Sequence, residues 1–177
     1  AGTITPAALT LTASSDSKVY DATTASLAAP NVTGLVGGDT ASALVQVFDS
    51  RDAGSRILTV SSYSIDDGNG GNNYVVTTQT AAGSITPAPL SLAASGDTKT
   101  FDGIVVSSAA PVASGLMGAD TVSGLQQTFD SPFVGTRTLS VSSGYTIDDG
   151  NGGGNYVVSE LTASGTILAD PTNFVWT

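Results

Sequence analysis

Leu9-Thr10-Leu11-Thr12 alternates apolar and polar side chains, the period-two pattern of a strand with one face buried. Residues 43–48 (ALVQVF) and 57–60 (ILTV) are short apolar runs bounded by Asp and Gly, and each reads as a further strand. Residues 73–80 (NYVVTTQT) make another, and 155–161 (NYVVSEL) carry the same pattern. Residues 34–40 (GLVGGDT) form a glycine-rich corner with room for one helical turn. No stretch holds helical periodicity over a window of about 11 residues. The pattern predicts an all-β chain with six to eight short strands per unit. It points to immunoglobulin-like β-sandwich domains, with β-grasp-like modules as the alternative because strand order is invisible in one sequence.

The pattern occurs twice. Ile4-Thr5-Pro6-Ala7 returns as Ile85-Thr86-Pro87-Ala88, an offset of 81. Lys18, Asp21, Leu35, Asp39, Phe48, Gly54 and Arg56 return as Lys99, Asp102, Leu116, Asp120, Phe129, Gly135 and Arg137. One inserted residue, Gly144, shifts the offset to 82, at which residues 65–71 (IDDGNGG) match 147–153 and Asn73-Tyr74 matches Asn155-Tyr156. A period near 80 residues is too long for a solenoid turn and suits a small domain. The division is therefore 1–87, 88–168 and a remainder, 169–177. Pro87 and Pro89 at the join favour a stiff, extended connection over a flexible linker, so tandem units would form a rod. The chain begins inside the pattern, as an excised fragment or a mature product would.

Residues 18–24 (KVYDATT), the corner at 34–39, Asn73-Tyr74 and the closing Ile85-Thr86-Pro87-Ala88 together resemble the YDG/MBG-type repeats of large bacterial adhesins of the filamentous-haemagglutinin kind. The second copy has Phe101-Asp102-Gly103 where the first has Tyr20-Asp21-Ala22, and Met117 within its corner. The resemblance spans about residues 1–168. It implies export to the cell surface, neighbouring repeats of the same parent chain as partners, and a stalk or adhesive role in attachment or biofilm. It names no ligand.

Composition narrows the function classes. The 177 residues hold 15 acidic and 5 basic side chains, no Cys and no His, for a net charge of −10. Nucleic-acid binding needs clustered Lys and Arg, and an anionic membrane would repel this surface. No apolar run reaches the roughly 18 residues of a membrane span. The 40% hydrophobic content is enough for a core. Without His or Cys the common nucleophile–base pairs are unavailable, and neighbouring strand residues such as Asp66 and Asp67 point to opposite faces, so a non-enzyme is expected.

Two loops stand out, 66–73 (DDGNGGNN) and 148–155 (DDGNGGGN). One reading is Ca2+ ligation by Asp66, Asp67 and Asn69, and by Asp148, Asp149 and Asn151, since hard oxygens close together suit that ion. The loops lack an EF-hand pattern, and the ligand count falls short of the six or more that Ca2+ takes, which favours a hairpin turn built on Gly and Asn. A Ca2+-dependent module contacting a cell-surface glycan or protein stays the alternative function. Lys18 and Lys99 each follow an acidic residue. They are candidates for a Lys–Asn crosslink to Asn73 and Asn155, or for plain solvated lysines paired loosely with Asp. The pairs Tyr20/Phe101, Phe48/Phe129 and Tyr74/Tyr156 read as packing residues. Arg56 and Arg137 are expected to stabilise carboxylates. Phe174-Val175-Trp176 reads as a short strand, and self-association through residues 169–177 would make the chain a fibre subunit.

Overall fold

The computed structural model describes residues 2–171, so Phe174-Val175-Trp176 and most of the 169–177 segment lie outside the described residues. The chain divides into two compact units between Pro87 and Ala88. The described residues are all-β, with no α-helix. Among the described residues there is thus no helix long and apolar enough to cross a membrane.

The first unit has seven strands: β1 (Ala7–Thr12), β2 (Asp16–Val19), β3 (Asn31–Thr33), β4 (Thr40–Phe48), β5 (Gly54–Asp66), β6 (Tyr74–Gln79) and β7 (Ala81–Thr86). They form a three-stranded sheet in the order β3-β1-β6 and a four-stranded sheet in the order β2-β7-β5-β4. Both sheets supply the core, a sandwich-like arrangement. Leu9 and Leu11 come from the first sheet, and Phe48, Leu58 and Ile85 from the second, all essentially inaccessible to solvent. Full burial of each such side chain contributes on the order of 1.5–3 kcal/mol. Sheets without any helix packed against them leave the β-grasp alternative without its defining element.

The two ends of the unit run side by side. β1 is parallel to β6 from Ala7↔Tyr74 to Thr12↔Gln79, and β2 is parallel to β7 from Asp16↔Gly83 to Val19↔Thr86. Only residues 13–15 separate β1 from β2, and only Thr80 separates β6 from β7, so the pair passes together from one sheet into the other. The Ala13 N–H donates to the Gln79 carbonyl at 2.9 Å and the Tyr20 N–H to the Thr86 carbonyl at 2.8 Å, so the pairing continues past the ends of both strand pairs. Gly83 lies where the sheets meet. A Cβ there would approach Phe48 Cε1 to 2.8 Å and Leu58 Cδ1 to 2.9 Å.

The second unit repeats the plan with β8 (Ala88–Ala93), β9 (Thr98–Thr100), β10 (Val112–Ser114), β11 (Thr121–Ser123), β12 (Gln127–Phe129), β13 (Gly135–Val141), β14 (Thr146–Asp148), β15 (Tyr156–Leu161) and β16 (Ala163–Leu168). Its sheets are β10-β8-β15, β12-β13-β16-β9 and the short β11-β14. β15 is parallel to β8 and β16 to β9, as in the first unit. The β4–β5 ribbon is continuous in the first unit, with register shifts around Val45. In the second it is cut into β12–β13 and β11–β14. The cut falls at Gly124 and at the inserted Gly144, both with positive φ.

The glycine corner is a tight turn and not a helical one: the Asp39 N–H donates to the Val36 carbonyl at 3.1 Å. Gly34 has φ +106°, and a Cβ there would run into the Ala8 carbonyl, so no other residue fits against β1.

Candidate functional site

The acidic glycine loops were the leading site candidates. Asp66 and Asp148 are the last residues of β5 and β14, paired with Thr40 and Thr121. Asp67 begins the loop and is its hub. Its Oδ1 accepts the N–H groups of Asn69 and Gly71, each at 2.8 Å, and its Oδ2 accepts the N–H of Asn73 at 3.0 Å. The Asn69 amide donates to Asn73 Oδ1 at 3.0 Å. Asp149 does the same with Asn151 and Gly153 at 2.8 Å and Asn155 at 3.0 Å, and Asn151 donates to Asn155 Oδ1 at 3.0 Å. Gly68, Gly70 and Gly71 supply the positive φ angles that turn these N–H groups inward.

The N–H of Gly71, with those of Asn69 and Asn73, holds the Asp67 carboxyl below its ordinary value. At Asp149 burial pushes the other way, and the N–H groups of Gly153, Asn151 and Asn155 outweigh it. A cation at either loop would have to displace three backbone donors per carboxylate, so the geometry is that of a carboxylate-centred turn and does not favour Ca2+ ligation. Among the described residues no three His, Cys, Asp or Glu side chains are placed to hold a metal ion.

The lysines do pair with Asp, as one reading expects, but they are not solvated. Lys18 Nζ donates to Asp21 Oδ1 at 2.7 Å and to the Thr23 carbonyl at 2.8 Å, and lies 5.4 Å from the centre of the Phe48 ring. Lys99 Nζ donates to Asp102 Oδ1 at 2.8 Å and to the carbonyls of Ile104 and Val106, 5.5 Å from the Phe129 ring. The side chains are only 16% and 13% exposed, so these are not solvated lysines. Nor are they placed for a crosslink. Asn73 and Asn155 are held in the loops by Asp67 and Asp149, while each ammonium is held by the carboxylate and carbonyls of the segment that follows its strand. The lysine folds that segment over the aromatic ring.

The tyrosines pin the glycine corner. Tyr74 Oη donates to Asp39 Oδ2 at 2.6 Å and accepts the Val36 N–H at 3.0 Å. Tyr156 Oη donates to Asp120 Oδ2 at 2.7 Å and accepts the Met117 N–H at 2.8 Å. Burial and the Asp120 carboxylate push the Tyr156 phenol up to about 12. The recurring Asn-Tyr and Gly-Leu-x-Gly-x-Asp segments are thus two halves of one clasp. Tyr20 is buried, but its counterpart Phe101 is 37% exposed, so the expectation of packing fails at that position.

The arginines also differ from expectation. Arg56 donates to the carbonyls of Asp52 (2.7 Å) and Ala53 (2.9 Å), and Arg137 to those of Phe133 (2.8 Å) and Val134 (2.9 Å). Each binds the main chain of the tight turn before it. A planar fork suits two successive carbonyls as well as it suits a carboxylate.

One element was missed from sequence. Gln46 is fully buried; its Oε1 accepts the Ser14 N–H at 2.8 Å, while its Nε2 donates to the Ser14 carbonyl at 2.8 Å and to Ser26 Oγ at 3.0 Å. Ser26 Oγ in turn donates to Asp16 Oδ2 at 2.6 Å. Gln127, Ser95, Ser107 and Asp97 repeat the clip at 2.7, 2.7, 2.9 and 2.6 Å. The bond from Ser26, with backbone N–H groups, holds Asp16 below its ordinary value, and Ser107 does so for Asp97. The glutamine acts as a substitute strand at the point where the chain leaves β1 for β2. The signal was available in part: Gln46 interrupts an apolar run and a Gln recurs at the repeat offset as Gln127, though there among Gln126 and Thr128.

These polar side chains are engaged in holding irregular backbone, with each arrangement present twice. A search among curated proteins finds no match. Residues 5–81 and 86–163 each match the YDG domain, and the chain belongs to the YDG domain family as a tandem pair of its members.

Proposed function

We propose that this chain is a non-catalytic, exported stalk segment of a bacterial surface adhesin of the filamentous-haemagglutinin kind, carrying tension between a cell anchor and binding regions elsewhere in the parent protein. The observation that supports this reading is the parallel pairing of the two ends of each unit. Tension enters a unit at the start of its first strand and leaves at the end of its last. Because β1 lies parallel to β6 and β2 to β7, that tension slides the strands along one another. The bonds from Ala7↔Tyr74 through Val19↔Thr86 are then loaded together and not opened one by one. Such a unit resists pulling through a high unfolding barrier, the quantity that governs forced unfolding. An acidic, cysteine-free exterior suits a surface location, where cohesion rests on packing and internal hydrogen bonds. The neighbouring repeats of the parent chain are the natural partners.

The test is replacement. In a surface-displayed adhesin carrying these two units, an unrelated β-sandwich pair of equal length is expected to restore attachment that their deletion abolishes. Loss of attachment despite the spacer would make the units a binding module instead. The purified chain is likewise expected to show no saturable binding to cells or glycans, with or without Ca2+.

A further inference from the structure

We propose that Asn69 and Asn151 are sites of spontaneous covalent ageing, each losing its side-chain amide to attack by the following glycine nitrogen, and that the loop of the second unit converts first.

Asn69-Gly70 and Asn151-Gly152 are the only Asn-Gly steps in the chain, and they occupy equivalent places in the two carboxylate-centred turns. Both asparagines are exposed. The glycine that follows carries no side chain to shield its nitrogen. A Cβ at Gly152 would meet nothing within 4 Å, and one at Gly70 only the Asn72 amide at 3.7 Å. Among the described residues neither glycine N–H donates a hydrogen bond, although the neighbouring N–H groups of Asn69, Gly71 and Asn73 are all taken by Asp67. The nucleophile is thus an N–H that the turn leaves to solvent, as it also leaves those of Gly68 and Gly150.

In the reaction the Gly70 nitrogen bonds to Asn69 Cγ and the Cγ–Nδ2 bond breaks. The glycine proton passes through solvent to the departing nitrogen, which leaves as ammonia. Water then opens the resulting cyclic imide at one of its two carbonyls. One opening gives aspartate at position 69; the other gives isoaspartate, in which the main chain runs through the side-chain carbon. No oxidant, reductant or enzyme is needed.

Ring closure requires two movements, and the loops differ in how strongly they oppose the second. In both, the asparagine amide must leave its partner, Asn73 or Asn155, at 3.0 Å. The peptide linking asparagine to glycine must then rotate. In the first loop the Asn69 carbonyl is held by the Asn72 amide at 2.7 Å and by the Asn72 N–H at 3.3 Å. In the second loop Gly154 stands in place of Asn72, and the Asn151 carbonyl keeps only the Gly154 N–H at 3.1 Å. The missing side-chain clamp makes Asn151 the more labile site.

Conversion dismantles the turn. Asp67 Oδ1 holds the N–H groups of both Asn69 and Gly71, and isoaspartate at 69 lengthens the main chain between those donors. Aspartate at 69 instead sets a carboxylate against Asn73 Oδ1, which now receives an amide proton. Asn73 immediately precedes Tyr74 and the parallel pairing of β6 with β1, so an aged loop loosens the start of that pairing.

The test incubates the full chain at mildly alkaline pH and maps tryptic peptides with time. Cleavage at Arg56, Lys99 and Arg137 puts the two loops on separate fragments. Isoaspartate is read by labelling with an isoaspartyl methyltransferase. Conversion is expected at Asn151 first and at Asn69 several-fold more slowly, with Asn73 and Asn155 retaining their amides. Asn72→Gly is expected to bring Asn69 to the rate of Asn151. Amides intact at both sites, over a period in which a short peptide of the same loop has converted, would overturn the proposal. Equal rates in the unsubstituted chain, or no response to Asn72→Gly, would overturn the ranking.

Discussion

The two units share their core residues, their parallel end pairings and their polar arrangements, and differ at the periphery. Gln46 and Gln127, Lys18 and Lys99, Tyr74 and Tyr156, and Asp67 and Asp149 make matching bonds to within a few tenths of an ångström. The periphery does not match. Tyr20 is buried where Phe101 is partly exposed; Phe133 and Val134 lie exposed where the first unit has Asp52 and Ala53; and the long ribbon of the first unit is cut in the second. Backbone strain is also distributed unequally. Ala22 and Ala43 adopt φ of 63° and 49°, while their counterparts Gly103 and Gly124 meet the same demand at 80° and 71°. The side-chain clips that hold irregular backbone are kept in both copies, while the exposed positions around them differ.

The comparison breaks most severely at the glycine corner. Gly34→Ala or Gly115→Ala combines a left-handed φ with collision against a β1 or β8 carbonyl, and a loss of about 3 kcal/mol or more is expected. Hydrogen exchange should show that loss confined to the unit carrying the change. Next come Gln46→Met and Gln127→Met, each leaving the N–H and carbonyl of a serine without their partner. The expected cost is about 2–4 kcal/mol, similar in both units, read from denaturant midpoints.

Smaller and opposite in sign between the units are the strain exchanges. Ala22→Gly and Ala43→Gly should stabilise the first unit by about 1 kcal/mol each, and Gly103→Ala and Gly124→Ala should destabilise the second by a similar amount. Acid should act on both units together. Asp16, Asp67, Asp97 and Asp149 all have folded values below the ordinary carboxylate value. The stability they provide is fully present above the unfolded value of about 4 and is lost as pH falls through the lowered folded ones. Thermal melts across that window should move down in step. The smallest effect expected is that of Ca2+: melting in excess Ca2+ and in chelator should coincide, because the loop carboxylates already carry backbone donors.

Much of this was legible in the sequence, and the remainder was hidden for definable reasons. The alternation of Leu9 and Leu11 marked β1, and the repeat marked both units and both acidic loops. What stayed hidden depends on main-chain partners distant along the chain. Gln46 meets the backbone of Ser14 across 32 positions, and a lone polar side chain between two valines of a strand reads as solvent-facing. Arg56 and Lys18 bind carbonyls, which every residue possesses and no pattern advertises. The parallel pairing of β1 with β6 joins residues 67 apart through short strands that fit an antiparallel neighbour equally well.

The central claim is that tension shears these units through their paired ends, and pulling a single molecule tests it directly. The first unit would be stretched end to end, and separately through handles at Thr12→Cys and Gln79→Cys. Those residues sit opposite each other on β1 and β6, where force peels the pairing open bond by bond. End-to-end unfolding is expected at a force several-fold above that of the 12/79 geometry, with two matching events per full chain. Equal forces in the two geometries, or smooth extension without discrete events, would contradict it.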